Sequence, residues 1–214
     1  MSTIIVLAEH ESGHLANATL NAIAAARILD SKVGGGFDIA VAGNNVDAVA
    51  AQLTGYGANT VYQLEDPALE GYTAQAYAQA FDTATQTAGA QFVIAAATSR
   101  GKDCTPRVAA RLGAGQASDI IAINGDAGSL TYTRPMWAGN VLGEVKINTP
   151  IHVLTVRTTD FDAATQSGGQ SAVERMGAGI DAGSIRMKYV RLDSVESNRP
   201  ALTDADAIVS GGRG

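Results

Sequence analysis

A chain of 214 residues with 46% hydrophobic content is long enough to bury a full core, as two ordinary compact units or one large one. Its 15 Lys and Arg stand against 21 Asp and Glu, a net charge of −6 that argues against broad contact with nucleic-acid phosphates or an anionic membrane surface. The lone Cys104 excludes an intrachain disulfide, and the first ten residues hold no basic segment and too short an apolar run for a signal peptide or a bilayer span, so an intracellular protein is expected.

Thr3–Ala8 is a continuous apolar run, the pattern of a strand covered on both faces. Leu15–Asp30 carries Leu20, Ile23, Ala24, Arg27 and Ile28 at helical spacing, and Gly34-Gly35-Gly36 breaks the chain before a second strand at Phe37–Ala42. The spacing then predicts helix over Asn44–Gly55, strand over Thr60–Leu64 and a longer amphipathic helix over Tyr72–Ala88. Gln91–Ala97 reads as a buried strand. Thr105–Leu112 reads as a short helix, with Thr105 as N-cap and Pro106 at the first helical position, and Ser118–Ile123 as a further strand. Such alternation builds a parallel, doubly wound Rossmann-like α/β sheet with helices on both faces.

After Gly125 the pattern changes. Leu130–Arg134, Val141–Ile147 and Ile151–Arg157 are β-rich and separated by short turns, which predicts a small antiparallel β extension built from hairpins. Ser167–Ser171 and Gly177–Gly179 read as flexible connections, and Ser184–Leu192 alternates like one more half-exposed strand. The expected organisation is one α/β domain over residues 1–193, parallel to about residue 124 and β-rich from 125 to 193. Residues 194–214 are then a linker followed by the first strand and turn of another domain. In that last stretch Ala207-Ile208-Val209 reads as an apolar strand entering the glycine-rich turn Ser210-Gly211-Gly212-Arg213-Gly214, a usual place to receive a phosphate-bearing cofactor.

Three stretches could carry chemistry. Glu9 and His10 follow the first strand, where ligands of doubly wound sheets sit; capping a loop or meeting a partner chain is the plainer reading. His14 lies four residues beyond His10 but at an expected helix start, so a shared metal face is disfavoured and loop roles are preferred. Thr98–Leu112 places Gly101 and Lys102 before a helix, which could cradle a phosphate, although the glycine spacing is not that of a P-loop. Its four basic residues could equally pair with acids at an interface. Cys104, near Lys102 and a helix start, could have a lowered pKa, yet a lone cysteine there is more often inert. Trp137, the one tryptophan, sits in a turn beside Arg134, suited to stacking on a ring, anchoring an interface, or packing the β extension. No Ser/His/Asp set, paired carboxylates or Cys/His arrangement assembles.

Taken in order, Val6–His10, Thr19-Leu20, Gly101-Lys102-Asp103 with Pro106–Ala110, Ser118-Asp119-Ile120, Arg134-Pro135 with Ala138-Gly139-Asn140, Thr155-Val156-Arg157 and Ser210–Gly214 resemble the alpha subunit of electron transfer flavoproteins. The resemblance implies an adenine nucleotide alpha hydrolase-like fold and a heterodimer with a beta subunit that holds AMP where AMP is present. It implies FAD bound mainly by a C-terminal domain of the alpha subunit. Electrons would pass from dehydrogenases such as acyl-CoA dehydrogenases, as in fatty acid β-oxidation, to a membrane quinone oxidoreductase. The chain would be a carrier rather than an enzyme, cytoplasmic in a bacterium or in the mitochondrial matrix of a eukaryote. Arg213 carries over as the FAD-facing residue, with Ser210, Gly211 and Gly212 shaping its turn. Family alpha subunits continue beyond that turn for about another domain, so this chain alone is expected to hold FAD weakly or not at all. Two alternatives stand beside this. One is a nucleotide-binding enzyme of the adenine nucleotide hydrolase-like class, disfavoured because Glu9–His14 is acidic with one glycine; the other is a scaffold that only docks the beta subunit.

Overall fold

The computed structural model describes residues 4–11, 13–191, 193, 205 and 207–212. Strand β1 (Ile4–Ala8) is buried along its whole length. Its side chains alternate between two cores, Ile4, Val6 and Ala8 facing one layer and Ile5 and Leu7 the other. That double burial is why the run is apolar without a gap.

A short hairpin, β2 (His10–Glu11) and β3 (His14–Leu15), leads into α1 (Asn17–Val33). Then come β4 (Phe37–Gly43), α2 (Asp47–Leu53), β5 (Thr60–Glu65), α3 (Ala74–Ala88) and β6 (Phe92–Ala96). The chain continues through α4 (Ser99–Leu112), β7 (Gly115–Ile120), β8 (Ala122–Asn124), β9 (Thr131–Met136), β10 (Val141–Val145), β11 (His152–Val156) and β12 (Ala172–Gly177). Seven strands form one sheet in the order β12-β5-β4-β1-β6-β11-β7, every pair parallel. Helices α1 and α2 share a core with one face, α3 and α4 with the other. Alanine dominates the buried faces of α1 and α3, which lets these helices lie close on the sheet.

The antiparallel extension is a separate three-stranded sheet, β10-β9-β8. It packs on the α1 side, where Ile123, Leu130 and Tyr132 join the same core. Tyr132 is fully buried, and its hydroxyl lies 2.6 Å from His152 Nδ1 on β11, tying the two sheets together.

Several expectations are corrected. Ile151–Arg157 is not part of an antiparallel hairpin: β11 lies between β6 and β7, parallel to both, with Val153–Val156 buried. A short turn before a strand says nothing about its neighbours, whereas four consecutive buried positions fit two-sided cover. The single strand expected at Ser118–Ile123 is two strands: β7, with a bulge at Asp119 (φ 59°), ends at Ile120, and from Ile121, whose N–H donates to the Thr133 carbonyl, the chain leaves β11 and pairs with β9. Helix α4 begins six residues before Thr105: Thr98 is its N-cap and Pro106 lies inside it. Ser184–Leu192 is not a strand. A 3-10 turn at Ala182–Ser184 is followed by irregular chain to residue 191, laid over α3 by Asp181 N–H on Gln79 Oε1 and Arg186 N–H on Gln75 Oε1, while Leu192 lies outside the described residues. The place beside β5 is taken by β12, a mostly exposed edge strand held chiefly by backbone pairing, with Met176 packed on the core and Arg175 paired with Asp47, so its stretch carries no apolar alternation.

Candidate functional site

The order of strands reverses between β1 and β6, so the carboxyl ends of these two strands frame the crevice where open α/β sheets place ligands. Glu9 follows β1 and Thr98 follows β6 with one residue between. The Thr98 hydroxyl donates to Glu9 Oε1 at 2.6 Å and accepts from Gly101 N–H at 2.9 Å, so one side chain caps α4 and fastens it to β1. Thr19 in the first turn of α1 accepts from Glu9 N–H at 2.8 Å and donates back to Glu9 carbonyl at 3.1 Å. Burial raises the Glu9 pKa above the ordinary carboxylate value, opposed by the Thr98 hydrogen bond and the Arg100 charge.

Arg100 donates to the His10 carbonyl at 3.0 Å and lies over the Tyr72 ring, 5.5 Å from its centroid. The Tyr72 hydroxyl sits 3.1 Å from the Arg100 carbonyl and 3.2 Å from the Asp103 carboxylate. Burial above all raises its pKa. His10 Nε2 is 3.0 Å from the Ala42 carbonyl, which can only accept, so Nε2 carries the proton; Nδ1 is buried with no partner among the described residues. A cleft of about 730 Å³ opens here between the β2–β3 hairpin and the first turns of α1 and α4, lined by Glu9, His10, Glu11, His14, Asn17 and Arg100 among others. Its size suits a small ligand, but two acids line its walls, which disfavours a phosphate cradle.

On the far side of α4 a second constellation forms. Asp119, held at φ 59° in the bulge of β7, receives Arg157 Nη2 at 2.6 Å and Nε at 3.3 Å, a bidentate pair, with Lys102 Nζ at 3.6 Å. Its backbone N–H donates to Thr155 Oγ1 at 2.8 Å. The Arg157 hydrogen bonds hold the Asp119 carboxyl below the usual range, against partial burial, with Lys102 assisting. Asp119 in turn raises the Arg157 pKa. The fold therefore gathers Gly101-Lys102, Asp119 and Arg157, distant in sequence, around one helix start. Sequence reasoning weighed Gly101 and Lys102 as a phosphate loop and gave Asp119 and Arg157 no chemical role. Charged residues at the ends of two apolar runs were the signal available.

Gly101 is required by this arrangement. A Cβ there would overlap the Ala96 carbonyl oxygen and lie 3.2 Å from Glu9 Oε1. Cys104 is buried in α4 rather than poised at a helix start, and burial first, then Asp103 and Glu9, push its thiol up to about 12, the opposite of the lowering considered from sequence. His14 lies on β3, paired with Glu11, rather than at a helix start. Among the described residues no group of three or more His, Cys, Asp or Glu could hold a metal ion, and no helix is long and apolar enough to cross a membrane.

The glycine-rich turn stands apart. Residues 207–212 form no strand, contrary to expectation; Ile208 is 59% and Val209 99% exposed, and nothing lies within 4 Å of the Cβ positions of Gly211 or Gly212. An unpaired segment gains no ladder hydrogen bonds, so apolar content alone does not make it a strand. Ser210, Gly211 and Gly212 do not enclose a pocket, and Arg213 lies outside the described residues. Trp137 is 78% exposed at the turn after β9, which removes the packing role weighed for it.

Comparison with known proteins gives a consistent match. The family model described as the electron transfer flavoprotein domain matches residues 4–179. The chain is 39% identical over 212 residues to the electron transfer flavoprotein subunit alpha of Pseudomonas aeruginosa, covering 99% of this chain and 65% of that protein. It is 34% identical to the subunit alpha of Bacillus subtilis over 99% of this chain and 64% of that one. The mitochondrial subunit alpha of Dictyostelium discoideum is 35% identical, over 100% of this chain and 62% of that protein. The chain thus spans just under two thirds of the length of these relatives.

Proposed function

The chain belongs to the electron transfer flavoprotein domain family, and from that premise we propose that it serves as alpha-subunit sequence of a heterodimeric electron transfer flavoprotein, with residues 1–193 as the domain that docks the beta subunit. Residues 194–214 would be the linker into a following domain that holds FAD, where residues 207–209, unpaired here, would gain partners as its first strand, with Arg213 facing the flavin and Ser210, Gly211 and Gly212 shaping its turn. The observation that carries this reading is the convergence of Gly101-Lys102, Asp119 and Arg157 at the start of α4, where each charged group is bound to another. Such internal pairing suits a scaffold better than a reaction centre, which needs a nucleophile or base aimed at a substrate.

Ser210–Gly212 stand in open space, whereas a dinucleotide requires most of its surface covered. By themselves these residues do not fit FAD, and no electron-transfer step is derived through them. In this reading a flavin held elsewhere would supply the redox chemistry, with dehydrogenases such as acyl-CoA dehydrogenases as electron donors and a membrane quinone oxidoreductase as acceptor. AMP would reside in the beta subunit. The compartment would be the cytoplasm of a bacterium or the mitochondrial matrix of a eukaryote.

The test mixes the purified chain with its beta subunit, FAD and AMP, with gel filtration followed by visible spectroscopy. Co-elution with the beta subunit supports the reading, and the chain alone should elute without flavin absorbance. Failure to co-elute, or tight binding of ATP by the chain alone, would replace it with the nucleotide-enzyme alternative that the cleft at β1 and β6 allows.

A further inference from the structure

The turn joining β9 to β10 places Trp137 and Ala138 at φ 53° and 57°. Left-handed backbone crowds a Cβ against the neighbouring carbonyl, so Asn, Asp and Gly normally occupy such turns. A bulky aromatic there is an outlier of the kind that collects at working surfaces. Trp137 gains no cover in exchange, being 78% exposed.

Its neighbours extend an apolar tip with two faces. Met136 and Val141 are cross-strand partners, as are Pro135 and Leu142, and successive pairs point to opposite sides. Met136, Val141 and Leu142 are 39%, 50% and 61% exposed. Apolar surface open on both sides of a projecting hairpin fits a cleft that closes around it better than a flat face.

Arg134, on the same face as Met136, has its Nε buried with no hydrogen-bond partner among the described residues. The hairpin's own acid, Glu144, pairs across the strands with Thr133 and so lies on the opposite face from Arg134, where it accepts from Thr131 and Asn124. Arg134 as a whole is only partly buried and makes no ion pair among the described residues, and a carboxylate is the group that best matches a guanidinium. A second copy set tip to tip would bring Arg134 against Arg134 with no free acid between them. An anionic lipid surface would meet a chain of net charge −6.

Resting on the reading of the chain as a beta-subunit partner, we propose that the β9–β10 hairpin is its docking element. Trp137 enters an apolar cleft of the beta subunit, and a carboxylate at the mouth of that cleft receives Arg134. The chain holds one tryptophan, so 5-fluorotryptophan incorporated into it alone gives a single fluorine resonance at the tip. Titration with purified beta subunit should shift that resonance to saturation. By calorimetry Trp137→Gly, which keeps the turn conformation comfortable, should weaken Kd at least tenfold, as should Leu142→Ser and Arg134→Gln. Unchanged Kd for Trp137→Gly overturns the hairpin assignment and leaves the family role standing, while no association of the unaltered chain overturns both. A resonance that shifts on concentrating the chain alone, or with phosphatidylglycerol vesicles but not the beta subunit, overturns the assignment in favour of a second copy or a membrane.

Discussion

Replacing Gly101 with alanine sets two effects of opposite sign against each other. Gly101 is the third residue of α4, and helix propensity alone predicts that alanine stabilises by about 1 kcal/mol. The added methyl, however, would overlap the carbonyl oxygen of Ala96, the last residue of β6. That oxygen is backbone in a buried central strand and has no rotamer by which to move. Overpacking of a filled site costs about 1–3 kcal/mol, and an immovable neighbour puts this case near the top of the range. The net expectation is a loss of about 2 kcal/mol, or roughly 4–8 °C in Tm for a chain of this size. Urea unfolding followed by circular dichroism measures it, with Ser99→Ala, at an exposed position in the same turn, expected within about 0.5 kcal/mol of wild type. Because the methyl would also press on Glu9 Oε1, the displaced carboxyl should regain water and its raised pKa should fall back toward the ordinary value. A Gly101→Ala midpoint equal to or above wild type would refute the packing argument and return the glycine to a matter of propensity.

Four further outcomes are expected. Burial lowers the His152 pKa below its ordinary value of about 6.5. The unfolded chain thus binds the extra proton first, and stability present above about pH 6.5 should drain away as pH falls through the folded value, a dependence that His152→Gln should flatten in thermal melts. Tyr132→Phe leaves His152 Nδ1 without its hydroxyl partner and should cost about 1–3 kcal/mol by the same melts. At Asp119, asparagine tolerates the left-handed backbone but loses the charged pairs, a cost of about 1 kcal/mol at this partly exposed site, while alanine should lose about 1 kcal/mol more. The lowered Asp119 pKa makes the charge part of that cost vanish as acid protonates the wild-type carboxylate, so equal deficits for Asp119→Asn at neutral and strongly acidic pH would contradict the pairing. Cys104 should resist iodoacetamide at about pH 8 in the folded chain and react fully in denaturant; rapid labelling of the folded protein would place the thiol at the surface.

Periodicity read the parallel half of the fold well, because its strands are covered on both faces and its helices on one: β1, β4, β5, β6 and α3 lie within a few residues of where their apolar patterns put them. The same logic failed where stability comes from backbone pairing or from a side chain far along the chain. Edge strand β12 carries no pattern, and α4 starts early because Thr98 finds Glu9, 89 residues away.

The sequence by itself determined the fold class, through the alternation of two-faced apolar runs with helical repeats, and the family, through short strings in a fixed order. Only the tertiary structure decided that β11 belongs to the middle of the parallel sheet and that Lys102, Asp119 and Arg157 meet. It likewise decided that Cys104 is sealed and Trp137 stands open. The reason is physical: burial pattern is a local property of a strand or helix, but strand neighbours, ion-pair partners and exposure depend on which segments the chain brings together, and no local repeat encodes that.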